Sequence, residues 1–376
     1  MREITATFSS FVPPNFGGMA LLDYLVRRFP YCDADEWARR IAAGLVRVEG
    51  GADGDAEVLA LPGQLLRPGQ KVTSRVDHRE PDLPEEVERI RLDRAAGIGI
   101  LGKCAGVPVT RTGEVVYNTF VQQARRTLDN PEVRLLHRLD RETSGLILCA
   151  LDKGALRFQQ RLECLLRRKF YLVVVRGTPS WQRNDCRAPL RESASHVVRA
   201  AMEVHPEGKA CRTTFVRVAS GTWRGQEASL LLAELHTGRK HQIRAHLAYL
   251  GHPVVGDKVY AHGGRYYLKR MEEGLDEADL EILGTENHLL HSWAAEVALP
   301  LSCGEDEGDD EALGLPESAI AANWRPEEEA FAAPELFRSG LFSPDFRCFL
   351  DSLAGWEAAA EAALQWARTP DAFPPA

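Results

Sequence analysis

A stretch near the middle of the chain, His137-Arg138-Leu139-Asp140-Arg141-Glu142-Thr143-Ser144-Gly145-Leu146-Ile147-Leu148, restricts the fold more than any other. Leu146 to Ala150 is a short, continuous, partly branched apolar run, the pattern of a strand buried on both faces. Thr143-Ser144-Gly145 is its tight approach. Asp140 therefore belongs to a loop anchored on a core strand, a place where reactive groups are held rigidly. Arg138 and Arg141 flank it, and neighbouring positive charge keeps a carboxylate ionised. Such a group can act as nucleophile or base. On this stretch alone an Arg-Asp pair that pins a turn is the favoured reading.

At 376 residues the chain has room for two or three domains of about 150 residues. No apolar run is long enough to span a membrane, and Met1-Arg2-Glu3-Ile4 lacks the basic-then-apolar order of a secretory signal. Eight scattered cysteines form no C-x-x-C pair, so neither a zinc ribbon nor a disulfide framework is indicated, and a reducing, cytoplasmic setting is expected. The net charge of −8 speaks against a nucleic-acid partner until its distribution is read. Residues 301–376 hold 16 acidic and 4 basic groups, whereas the first 300 hold 42 basic and 38 acidic ones. The bulk of the chain is mildly basic and the tail alone makes it acidic.

Read in order, residues 1–18 look irregular. Leu21, Leu22, Leu25 and Val26 repeat at helical spacing. A second helix is expected from Asp33, its N-cap, through Trp37 and Ile41 to Gly44, with Arg39 and Arg40 on its polar side. Strands follow at Leu45 to Val48 and Lys71 to Val76, with a turn at Gly50-Gly51. This helix–helix–strand order over 19–76 resembles the alpha-L RNA-binding module; a structural cap is the alternative. Residues 77–88 read as a polar linker.

Further on, Ile98 to Leu101 is a buried strand and Asn118 to Leu128 a helix. A helix over about Gly154 to Arg168 carries Arg157, Arg161, Arg167 and Arg168. From Arg134 to Arg176 there are ten Lys and Arg against four Asp and Glu, so this face is a candidate phosphate contact. Lys169-Phe170-Tyr171 opens a strand, and 197–204, 210–219 and 228–235 read as more, with turns at Pro206-Glu207-Gly208 and Gly221-Thr222. Ile243, Leu247 and Leu250 repeat at helical spacing and let Arg244 point into a cleft. His288 to Leu299 carries a last sheet-like segment, 301–318 an acidic loop, and Ser343-Pro344 starts a helical tail. The fold class is α+β, a mixed, largely antiparallel sheet flanked by helices.

His236, His241 and His246 lie five residues apart, which misses the one-turn spacing of a zinc pair, so hydrogen-bonded histidines are expected and no metal. No dinucleotide or P-loop glycine motif is present. Glu142 shows no special setting, so the carboxylate pair of ordinary glycoside hydrolysis is not evident.

Several motifs together carry a resemblance. His137 to Leu148 looks like H-R-L-D-x-x-T-S-G-L of the RluA-type pseudouridine synthases. Lys169-Phe170-Tyr171 resembles their K-x-Y, Thr237 to Arg244 their T-G-R-x-H-Q-I-R, and Gly251 to Asp257 their G-H-P-x-x-G-D. The match spans about 90–300. Cys104 departs from the family, standing where K-P-x-G has proline. The resemblance implies a synthase catalytic domain at 89–300, after an N-terminal extension (1–18), the alpha-L module (19–76) and the linker (77–88), and before an acidic, helical C-terminal extension (301–376).

The implied reaction isomerises uridine to pseudouridine in ribosomal or transfer RNA, without cofactor or metal. The glycosidic C–N bond breaks, the uracil turns, and a C–C bond forms. Asp140 is the implied catalytic group, Arg244 its partner, and Tyr171 the ring that stacks on uracil. Ile243 and Leu247 would form the apolar floor. Arg138 would fill the space left by the extruded base, with His137 and Arg141 beside it. Arg39, Arg40, Arg157, Arg161, Arg167 and Arg168 would contact RNA. The expected partner is RNA alone, with no membrane and a monomeric chain. The alternatives are a catalytically inactive RNA-binding protein with a synthase fold and a sugar-acting hydrolase.

Overall fold

In the computed structural model the described residues are 2–29, 32–50, 58–112, 115–301 and 330–368. They form two compact units, one of residues 1–82 with 111–117, the other of 83–110 with 118–376.

The first unit is a four-stranded antiparallel sheet in the order Arg2–Phe11, Lys71–Glu80, Val46–Glu49, Val58–Leu59, with helices Leu21–Arg28 and Ala34–Ala42. Asp33 accepts a hydrogen bond from the Glu36 amide at 2.8 Å and so starts the second helix as expected. Leu21, Tyr24, Leu25, Trp37, Ile41, Val46 and Val72 fill the core. Two expectations are corrected. Residues 2–11 are not irregular but a ten-residue strand, and the segment read as a linker at 77–88 is strand through Glu80 and again from Val87. Alternating threonine, serine and aromatic residues over Thr5 to Phe11 suit a pleated edge better than the prolines after them suggested. Residue 51 of the expected Gly50-Gly51 turn lies outside the described residues.

The second unit is built on a mixed sheet. The strand order is Arg183–Cys186, Thr213–Trp223, Gln226–Leu235, Leu166–Arg176, Leu290–Val297, Ser144–Ala150, Ile98–Lys103 and Val87–Asp93. Arg134–Leu135 and Glu335–Arg338 add short pairings to it. All contacts are antiparallel except that of Leu290–Val297 with Ser144–Ala150, so the sheet is largely antiparallel and the unit α+β. The central strand Leu166–Arg176 shows how pattern becomes architecture. Its odd residues Tyr171, Val173 and Val175 pack under the helix Gln242–Tyr249. Its even residues Phe170, Leu172 and Val174 pack on Phe346, Phe349, Leu350 and Trp356 of the C-terminal helices Pro344–Asp351 and Trp356–Arg368. The acidic loop 301–318 lies, beyond Leu301, outside the described residues.

Three more readings are corrected. Gly154 to Arg168 is not one helix. It is two 3-10 turns, Gly154–Gln159 and Leu162–Cys164, followed by strand. The hairpin turn falls at Arg224-Gly225, both with positive φ (47° and 76°), not at Gly221-Thr222. Glu335–Arg338 pairs beyond the segment read as the last of the sheet. No helix among the described residues is long and apolar enough to cross a membrane.

Candidate active site

Asp140 sits in a turn closed by the Thr143 amide donating to its carbonyl at 3.1 Å. Nearly every neighbour in the motif is tied down. His137 Nε2 accepts from the Leu148 amide at 2.9 Å, and Arg141 Nε donates to the Gly106 carbonyl at 3.0 Å. The buried Lys103 ammonium donates to the carbonyls of Cys104, Val107 and Arg141 at 2.8, 2.8 and 3.0 Å, using all three of its protons. Thr143 Oγ1 meets His288 Nε2 at 2.8 Å, and Ser144 Oγ meets His291 Nδ1 at 2.8 Å. Glu142, which seemed unremarkable in sequence, has a side chain only 11% exposed and takes Lys258 at 2.9 Å, Arg270 at 2.6 Å and the His288 amide at 3.1 Å. It serves the loop rather than standing as a second acid in the cavity.

Arg244 is 5% exposed and bridges two acids. Its Nη1 donates to Asp140 Oδ2 at 2.7 Å, across 104 residues of sequence, while Nε and Nη2 fork onto Asp257 at 2.6 and 2.9 Å. Tyr260 lies under the guanidinium at 5.3 Å. The helix carrying Arg244 is aimed by Gln242, whose Oε1 accepts from Thr237 and the Arg239 amide and whose Nε2 donates to Arg212 and Thr213. Burial pushes the Asp140 carboxyl up, but Arg244, His241 and His288 outweigh it and hold it at about 2. The flanking Arg138 and Arg141 are not what keeps it ionised: Arg138 is exposed and Arg141 is turned toward Gly106. Asp140 Oδ1 accepts no hydrogen bond among the described residues; His241 Nε2 is 3.8 Å from it. One oxygen is fixed and the other is free.

Asp140, Gln242 and Arg244 line one cavity of about 290 Å³ with His137, Arg138, Leu139, Lys169, Tyr171, Arg239, His241, Ile243 and Leu290. Tyr171 is brought there by its strand, opposite Ser292, where a bulge at Trp293 shifts the register. Burial pushes its hydroxyl up to about 12, so the ring enters as a neutral phenol. Asp140, Tyr171, Arg244, Arg138, His137 and Ile243 thus line the same cavity. Leu247 does not line the cavity: one turn further along the helix, it is fully buried behind Ile243. Arg141 points away from it.

The basic residues divide. Arg168 is on the even face of its strand, away from the cavity, paired with Glu234 at 2.7 Å and with the Ala367 carbonyl. Arg161 pairs with Glu163, Arg157 stacks on Phe158 and Arg167 on Phe331. In the first unit Arg40 is 19% exposed, bound to Glu36 and stacked on Trp37, whereas Arg39 is 74% exposed. Of the three spaced histidines, His236 meets Thr214, His241 meets Tyr260, and His246 meets Thr213 and Ala188. Sequence reasoning missed Asp257 and Lys258, although Asp257 closes a motif it had matched, and it left Lys169 without a role.

The family model described as RNA pseudouridylate synthase matches residues 98–249, which contain Asp140, Tyr171 and Arg244. An uncharacterized RNA pseudouridine synthase of Aquifex aeolicus is 30% identical over 276 residues, covering 69% of this chain and 82% of that protein. RNA pseudouridine synthase 5 of Arabidopsis thaliana is 31% identical over 262 residues, 61% of this chain and 68% of that protein. The ribosomal large subunit pseudouridine synthase C of Yersinia pestis is 36% identical over 172 residues, 44% of this chain and 48% of that protein. The chain belongs to the RNA pseudouridine synthase family, of the RluA type that its motifs resemble, and its class of activity is the isomerisation of uridine in RNA.

Proposed function

We propose that this enzyme converts uridine to pseudouridine in ribosomal or transfer RNA with Asp140 as its catalytic group. The observation that carries the reading is the meeting of Asp140, Arg244 and Tyr171 in one cavity of about 290 Å³, from three distant parts of the chain. The free Oδ1 of an ionised Asp140 can attack the ribose or take a ribose proton, and either route releases the uracil. Arg244 holds the carboxylate by its other oxygen, and Asp257 holds Arg244. The uracil rests between Tyr171 and Ile243 while it turns. The bond from N1 to the sugar breaks, the bond from C5 forms, the C5 hydrogen leaves as a proton and N1 takes one up, so the product is an isomer of uridine. A paired uridine must first leave its helix, at a cost of a few kcal/mol. Arg138, exposed at the cavity and without a side-chain partner among the described residues, fills the gap, since guanidinium stacks well on bases.

The first unit acts as an alpha-L-type RNA-binding module, presenting Arg39 from its second helix. In this reading the RNA-binding unit is residues 1–82 with 111–117, and the catalytic unit is 83–110 with 118–376, its C-terminal helices part of its core. Both substrates stay within the proposal, since the Yersinia pestis relative is named for ribosomal RNA and a relative in Saccharomyces cerevisiae for transfer RNA. Mapping pseudouridines in total RNA with and without the gene tests the assignment. A site lost on deletion and restored by wild-type protein is expected; an unchanged map would favour an inactive RNA-binding protein.

A further inference from the structure

Cations in the catalytic unit are mostly matched by acids or carbonyls. Arg168 has Glu234, Arg212 has Asp185, Lys258 and Arg270 share Glu142, and Lys103 has three carbonyls. Lys169 is an exception. It lies two residues before Tyr171 on the same face of the strand and lines the same cavity, half-buried. Among the described residues its ammonium has neither a hydrogen bond nor a carboxylate. Burial lowers its pKa, with nothing to offset the cost. A side-chain carbon on Gly238 would lie 3.7 Å from Lys169 Nζ, so the glycine leaves that ammonium uncovered. Next to it, Arg239 lines the cavity, its Nε reaching the Ala210 carbonyl at 3.4 Å. Arg138, Lys169, Arg239 and Arg244 thus line a cavity whose one acid among the described residues, Asp140, is already bound to Arg244.

We infer that Lys169 and Arg239 form an anion subsite that grips a phosphodiester oxygen next to the uridine lying on Tyr171. The inference rests on the functional reading above and adds where the backbone of the target nucleotide is held. Residues two apart on a strand are about 7 Å apart along it, the scale of one nucleoside from base to flanking phosphate. The phosphate is that on the 5′ or the 3′ side of the target, and the ligand itself distinguishes them. Arg239 adds a guanidinium suited to bidentate contact.

The test is binding of a fluorescein-labelled oligouridylate across salt concentrations, by anisotropy. Lys169→Met should weaken binding about fivefold at 0.1 M salt and make the log–log salt slope shallower by about 0.7, the value for one lost single-strand phosphate contact. Lys169→Arg should retain most of the affinity. Gly238→Leu, on an exposed turn whose backbone is outside the left-handed region, should weaken binding without changing charge, by covering the ammonium. Lys240→Met, which removes a lysine already near Glu192, should change the slope less than Lys169→Met. In competition, uridine 3′-phosphate or uridine 5′-phosphate should outcompete uridine on wild type, and that advantage should vanish in Lys169→Met. Wild-type affinity and slope in Lys169→Met, or phosphates no better than uridine, would overturn the subsite. These readings need no turnover, so an inactive wild type in a tritium-release assay would remove the functional reading separately.

Discussion

At the scale of single residues, the site is a chain of ion pairs of increasing burial. Asp140 is 31% exposed, Arg244 6% and Asp257 fully buried by side chain. Breaking a buried pair by removing one partner leaves an uncompensated charge, so Asp257→Asn should cost about 3–5 kcal/mol in urea denaturation. A loss under 1 kcal/mol would show that Arg244 does not depend on it. The pH response follows from the same groups. Burial opposes charge on Asp140 and Glu142, but the surrounding cations prevail and hold both at about 2. Their ionised forms stabilise the fold fully above about pH 4.5 and lose that contribution as pH falls toward 2. Burial holds His137 and His288 down at about 4. The unfolded chain therefore takes up those protons first, and stability falls as pH drops from about 6.5 toward 4. Tm should decline in that upper window, before the carboxylates titrate; a flat Tm from pH 7 to 4.5 would contradict this. Gly145 shows why the motif ends as it does. Its φ is +102°, and a Cβ there would stand 2.2 Å from the Ser292 carbonyl oxygen of the parallel neighbour. Asp140 and Arg244 were legible because charge in an apolar, punctuated setting is conspicuous. Glu142 and Lys258 were not, because they meet across 116 residues with no local pattern to pair them, and Asp257, 13 residues from Arg244, is matched as a motif position that spacing alone does not pair with Arg244.

At the scale of elements, apolar period identified most strands but not the 154–168 segment. Its apolar residues recur every three or four positions, which 3-10 turns satisfy as well as an α-helix does. The error carried Arg168 onto a supposed RNA face, whereas strand parity turns it to the other side. The helical tail was recognisable from Ser343, which caps its helix through the Phe346 amide. Its purpose was not recognisable from sequence. It covers the even-residue face of the central strands, opposite the cavity, with Phe346, Phe349, Leu350, Trp356 and Leu364. Phe349→Ala should therefore cost about 3–5 kcal/mol although it touches no cavity residue. Unfolding measured by urea, with the cavity motif intact, checks this. A loss below 1 kcal/mol would mean that the tail is an appendage rather than part of the core.

At the scale of the molecule, net charge is misleading. Sixteen of the 54 acidic groups lie after residue 300, while the remainder carries a small positive excess. RNA affinity should fall with salt as contacted phosphates regain counterions, despite a net charge of −8. The central claim concerns chemistry, and one experiment addresses it directly: tritium release from [5-³H]uridine-labelled RNA by wild type and Asp140→Asn. The amide keeps the shape but cannot act as base or nucleophile. The account predicts release by wild type and a fall on the order of 10³-fold or more in the variant, with RNA affinity kept within a few-fold. Release near the wild-type rate from Asp140→Asn would contradict it.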